Sequence, residues 1–153
     1  MLAACDPVTG TGSGTPPNPS QYIHVDTASR SAVVTLIAGH PAGDYQFNYD
    51  GRYNGTLRLT VPLGWEVTLQ CENHATIPSS CAIVADQDAT SPLEPGWTTP
   101  PLDPGRSAAF AFRPTRLGSY RIASLVEGSE AIVMWARLEF VDGGIPTLTA
   151  LDG

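Results

Sequence analysis

The chain has 153 residues, of which 15 are Gly and 14 are Pro, a composition that disfavours long helices. Its net charge is −7, and its eight basic residues are all Arg, with no run that could form the basic patch a nucleic-acid partner needs. Because 42% of the residues are hydrophobic, extensive disorder is also disfavoured. The length of the chain corresponds to about one folded domain.

The N-terminal residues predict a lipid anchor followed by a tether. Residues 2–5 (LAAC) resemble a bacterial lipobox, whose cysteine carries the lipid, so Cys5 is the predicted anchor. The Gly-, Pro-, Ser- and Thr-rich residues that follow are typical of a flexible linker. Residues 1–20 are therefore predicted to hold an extracytoplasmic protein at the outer face of a bacterial membrane, which it contacts only through Cys5. The alternative is a chance cysteine in a disordered tail.

The chain beyond the tether shows the pattern of short β-strands. Residues 65–72 alternate over their whole length between apolar and polar side chains. The predicted strands are residues 32–37, 56–61, 65–72, 80–85, 108–112, 120–124 and 132–141. Strands of this kind, separated by turn signals, predict an all-β fold, an antiparallel sandwich or barrel of about seven to eight strands. The domain is expected over residues 21–141, with residues 142–153 as a C-terminal tail.

Two further cysteines, Cys71 and Cys81, lie on consecutive predicted strands. Their positions in the alternation place both side chains inward, where they could meet across a sandwich core. An exported protein folds in a compartment where a disulfide survives, so a Cys71–Cys81 bond is predicted. The alternative is two buried free thiols that act as small apolar residues. The cysteine spacing gives no support to a structural zinc site.

Several short motifs follow one another in a consistent order and spacing. They are residues 47–51 (FNYDG), 54–55 (NG), 61–67 (VPLGWEV), 73–80 (NHATIPSS), 104–108 (PGRSA), 117–120 (LGSY) and 134–135 (MW). Together they resemble the sulfocyanin family of blue-copper cupredoxins over residues 21–141. The resemblance implies a cupredoxin-like Greek-key β-sandwich or barrel and, for the family, electron transfer by a type 1 copper.

The resemblance also indicates where the copper ligands would stand. It places the first His at Ser79, the Cys at Ser124, the second His at Ser129 and the axial Met at Met134. A serine hydroxyl is neutral and hard, and it replaces neither a thiolate nor an imidazole as a copper ligand, so no bound metal is predicted. Met134 is then expected to fill core volume. The weak alternative is a loose Cu(I) site formed by Met134 with His74.

The sequence therefore predicts an exported cupredoxin-fold protein that has lost its type 1 copper site. It is expected to act as a binding or structural module at the cell surface, with no cofactor and with an unidentified protein or small ligand as its partner. The alternative is a sulfocyanin-like electron-transfer protein that binds copper through atypical ligands. An enzyme is not predicted, because the chain has neither a GxSxG elbow nor the spacing of an oxyanion hole.

Overall fold

The computed structural model describes residues 15–43, 46–126 and 133–151. Within these ranges the chain forms a four-residue 3-10 helix, Pro19–Tyr22, and nine strands. The strands are β1 (Ile23–Asp26), β2 (Ser31–Ala38), β3 (Leu57–Pro62), β4 (Glu66–Asn73), β5 (Ala82–Val84), β6 (Ser107–Phe112), β7 (Gly118–Ala123), β8 (Trp135–Val141) and β9 (Thr147–Ala150). In the described ranges no helix has the length and apolar character to cross a membrane. Cys5 and Ser129 lie outside these ranges, so their predicted roles stay predictions.

The strands form two sheets that enclose one main hydrophobic core. The first sheet has the order β1-β2-β4-β6 and the second has the order β5-β7-β8-β3-β9. In β4, Val67, Leu69 and Cys71 are fully buried, and the residues between them lie at or near the surface. Successive side chains of a strand point to opposite faces, so this period of two turns one face of the sheet inward. The all-β sandwich predicted from the sequence is confirmed.

Both sheets are mixed, because β2 pairs in parallel with β4 and β3 pairs in parallel with β8. The expectation of a wholly antiparallel sandwich is wrong for these two pairs. Between β2 and β4 the chain crosses to the second sheet as β3 and then returns, so β2 and β4 run in the same direction. Turn signals along a sequence show where a strand ends, and they do not show which sheet the next strand joins.

Two strands in the structure, β1 and β9, were not among the predicted ones. Each has four residues, and β9 has one buried side chain, Leu148, which is 5% exposed. Such short segments carry too little alternation to be recognised by pattern. The sheet extends beyond residue 141, where we expected the domain to end, since β9 pairs antiparallel with β3.

A disulfide joins Cys71, near the end of β4, to Cys81, just before β5, and confirms the prediction. The two Cα atoms are 6.0 Å apart, and neither side chain is exposed. Because β4 belongs to the first sheet and β5 to the second, the bond crosses the core and ties the two sheets together.

Candidate functional site

The strand register brings three of the four predicted ligand positions to one place. Ala82 at the start of β5 pairs with Ala123 at the end of β7, and Ala123 pairs with Trp135 at the start of β8. Ser124 follows Ala123 directly and Met134 precedes Trp135 directly, while Ser79 lies three residues before Ala82. These three side chains are buried, with exposures of 2% for Ser79, 2% for Ser124 and 1% for Met134.

Ser79 and Met134 are in direct but weak contact. The Ser79 hydroxyl donates to the Met134 sulfur over 3.9 Å, a long hydrogen bond to a poor acceptor. The backbone of Ser79 is held separately, because its N–H donates to the Leu102 carbonyl and its carbonyl accepts the Leu102 N–H in return. Met134 is packed in the main core, as expected if it fills core volume.

Ser80 and Ser124 form a reciprocal pair that we call the serine clamp. The Ser124 hydroxyl oxygen accepts the backbone N–H of Ser80 at 3.1 Å and that of Val126 at 3.4 Å. In the opposite direction, the Ser80 hydroxyl oxygen accepts the backbone N–H of Leu125 at 3.0 Å. The clamp therefore joins the segment before β5 to the segment after β7 by side-chain to backbone hydrogen bonds.

Tyr49 adds a hydrogen bond to the serine clamp. Its phenol is fully buried and donates to the Ser80 carbonyl at 2.6 Å. Burial raises the pKa of Tyr49 above its usual value, so the phenol stays neutral and keeps its proton to donate. Neither Ser80 nor Tyr49 stands at a predicted ligand position. Both lie inside motifs of the family resemblance, but only the folded structure shows that they meet.

The residues at this site do not fit a copper ion. The donors that converge are two hydroxyls and one thioether, and none of them is the thiolate or imidazole that type 1 copper requires. The Ser124 oxygen already accepts two backbone N–H groups, so its lone pairs are engaged within the protein. In the described part of the chain, no group of three or more His, Cys, Asp or Glu residues could hold a metal ion.

The structure places His74 and Met134 in different environments. The His74 side chain is 47% exposed, and its Nε2 lies 3.4 Å from a carboxylate oxygen of Glu72. Met134, by contrast, is enclosed in the core. Because the His74 ring is at the surface and the Met134 sulfur is in the interior, the structure gives no support to a loose Cu(I) site formed by these two residues.

The Ser124→Ala variant is expected to lower the free energy of unfolding by about 1 to 2 kcal/mol, because one buried and one partly buried N–H group lose their acceptor. Chemical denaturation measures the change. The matched control is Ser79→Ala, which removes a buried hydroxyl whose side-chain contact is weak and is expected to cost less than about 0.5 kcal/mol. Equal losses in the two variants would show that the serine clamp contributes nothing beyond its volume.

Several solved structures are similar to this chain in fold. Auracyanin A, a blue copper protein of Chloroflexus aurantiacus, has 15% identity and a TM-score of 0.54, covering 72% of this chain and 99% of its own. A histidine-to-methionine variant of rusticyanin has 20% identity and a TM-score of 0.57, covering 73% and 78%. A multicopper oxidase has 22% identity and a TM-score of 0.50. The match covers 63% of this chain, which spans only 32% of that protein. At these identities the likeness shows the fold, which is that of the cupredoxins.

The family follows from the sequence match. The sulfocyanin (SoxE) domain family matches residues 19–96, and the chain belongs to that family. The match includes the loop with Ser79 and ends before Ser124 and Met134, so the register of the second loop depends on the motifs and on the convergence described above. No curated protein matches the chain significantly.

Proposed function

We propose that this protein is an exported member of the sulfocyanin family that has lost its type 1 copper site and acts as a binding or structural module at the cell surface. The observation that carries the proposal is the serine clamp. The hydroxyls of Ser80 and Ser124 hold two loops by hydrogen bonds to backbone N–H groups, and the neighbouring Ser79 hydroxyl contacts the buried Met134 sulfur.

Export is supported by the buried Cys71–Cys81 disulfide, since such bonds persist mainly in oxidising compartments. The lipobox-like residues 2–5 give the proposed means of attachment through Cys5. A catalytic role is not proposed, because the hydroxyl oxygens of Ser80 and Ser124 accept backbone N–H groups and so hold the backbone of two loops.

Copper titration separates this proposal from the alternative of an electron-transfer protein with atypical ligands, which family membership favours. After treatment with a chelator, the protein is mixed with Cu(II) or with Cu(I), freed of unbound metal, and examined for bound copper and visible absorption. We expect less than one copper per chain and no intense thiolate-to-copper band.

His74→Ala is the control for metal held weakly at the surface, because His74 and Glu72 present a nitrogen and a carboxylate to solvent. Residual copper that disappears in this variant is surface binding and is consistent with the proposal. One tightly held copper per chain that survives His74→Ala, or an intense band in the red part of the spectrum, would establish the alternative.

A further inference from the structure

The outer face of the second sheet carries three arginines in one row. The register places Arg121 of β7 opposite Arg137 of β8, and Arg137 opposite Arg58 of β3. Neighbouring strands are about 4.8 Å apart, so the three side chains start within about 10 Å of one another. A chain with a net charge of −7 and eight arginines thus concentrates three of them in one row, which we call the arginine row.

The ion pairs in the described ranges join residues outside the arginine row, although Asp86 and Asp88 act electrostatically on Arg121. Glu139, on the same face, accepts instead from the Ser119 hydroxyl at 2.8 Å. The Nε of Arg58 is buried without a hydrogen-bond partner in the described part. Like charges placed directly opposite each other destabilise a sheet. The contacts that offset this repulsion are a hydrogen bond from the Arg137 Nε to the Gly55 carbonyl at 3.0 Å and the stacking of Arg121 and Arg137 on Trp135.

Trp135 serves as a platform beside the arginine row. The Cζ of Arg121 lies 3.5 Å from the centroid of the indole ring, and that of Arg137 lies 5.3 Å from it. The ring rests on Gly55, whose backbone is left-handed (φ +71°) and where a Cβ would overlap the indole. Stacking fixes a guanidinium through its face and leaves the N–H groups on its edge available to an acceptor.

A cavity of about 190 Å³ lies next to Arg121. Its apolar wall is formed by Val84, Ala123 and Leu125, and two of these belong to a small hydrophobic cluster outside the main core. Asp86 contributes an acid to the lining, and its charge opposes the lowering of the pKa of Arg121 that burial and then Arg137 cause. A cavity of this size and lining suits one aliphatic side chain next to a cation.

We propose that this face binds an acidic segment of a partner protein, with carboxylates on the arginine row and one apolar side chain in the cavity. Arginine binds carboxylates through paired N–H groups, and Trp and Arg are enriched at the centres of protein interfaces. The net charge of −7 opposes long-range attraction to any anionic partner, the acidic segment included, so recognition depends on short-range contacts with the row itself. The proposal rests on the binding role proposed above and names the chemistry of the partner.

The test uses the full chain and a synthetic peptide with one leucine flanked by three glutamates on each side, titrated by calorimetry at physiological ionic strength. We expect saturable binding that falls at least about tenfold in Arg121→Gln and in Arg137→Gln, because each removes charge-assisted hydrogen bonds. Arg106→Gln changes the net charge equally at an exposed turn before β6 and is expected to leave the affinity unchanged.

Arg58→Thr adds a second readout that does not depend on lost stability. It removes the repulsion and the buried Nε, so we expect a higher melting temperature together with weaker peptide binding.

The proposal is overturned by no saturable binding, by an equal loss in Arg106→Gln, or by equal binding of the same peptide with glutamine in place of glutamate. Binding of inorganic phosphate or of phosphatidylglycerol vesicles in place of the peptide would also overturn it. Stoichiometric copper binding would contradict the copper-free role and leave this peptide result unchanged, so the two failures are distinguishable.

Discussion

The triple variant Ser79→His, Ser124→Cys, Ser129→His is expected to bind one copper per chain and to become blue. The register already brings Ser79, Ser124 and Met134 together, and the resemblance to the family predicts the ligands of its second loop at residues 124, 129 and 134. The substitutions would supply one thiolate and two imidazoles around the thioether of Met134, the donor set of a type 1 site. Metal analysis and the visible spectrum of the copper-loaded variant measure the result.

The controls for this variant separate folding from geometry. The double variant Ser79→His, Ser129→His lacks the thiolate and is expected to remain without the intense band. Circular dichroism and thermal unfolding report whether the triple variant keeps the fold, since Ser124→Cys also removes half of the serine clamp. A folded triple variant that stays colourless with copper would show that the ligand positions are wrongly assigned.

Loss of the disulfide is expected to have the largest effect on stability. The double variant Cys71→Ala, Cys81→Ala should lower the free energy of unfolding by about 2 to 3 kcal/mol, because the bond closes a loop of about ten residues in the unfolded chain. The cystine also fills core volume between the two sheets, so the alanines lose packing contacts in addition. The midpoint of denaturant unfolding measures the change.

The reduced wild-type protein is the matched control for the disulfide prediction, because it keeps both sulfur atoms in the core and lacks only the bond. Its mass should increase by two hydrogen atoms on reduction under denaturing conditions. We expect its stability to fall between those of the oxidised protein and the double variant. Identical midpoints for the oxidised and reduced proteins would show that the bond adds nothing to the packing of its sulfurs.

Alternation along single strands made part of this structure predictable. The inward face of β4, the pairing of Cys71 with Cys81 and the burial of Met134 all follow from a period of two. The convergence of Ser79 with Ser124 was predictable through motif spacing. What alternation cannot show is register, since it fixes the face of each side chain and not its neighbour on the next strand.

The features that depend on register are the ones that sequence reasoning missed. The arginines at 58, 121 and 137 are far apart in the sequence and form a row only because β3, β7 and β8 are adjacent. Ser80 acquires its role because the N–H of Leu125 reaches its hydroxyl across two strand ends. One sequence signal pointed toward the row. The chain has few basic residues, and one of them, Arg137, lies on the outward face of a well-defined predicted strand.

The 3-10 helix at the end of the predicted tether has a consequence for how the protein avoids self-association. It contacts β9, which forms one edge of the second sheet, and β2 of the first sheet, so it bridges the two layers at one side. An uncovered edge strand offers unpaired backbone groups on which another chain can form a strand. Pro19–Tyr22 lies beside the edge strand β9. The residues that lead the chain into the domain therefore also hinder a second chain from pairing with β9.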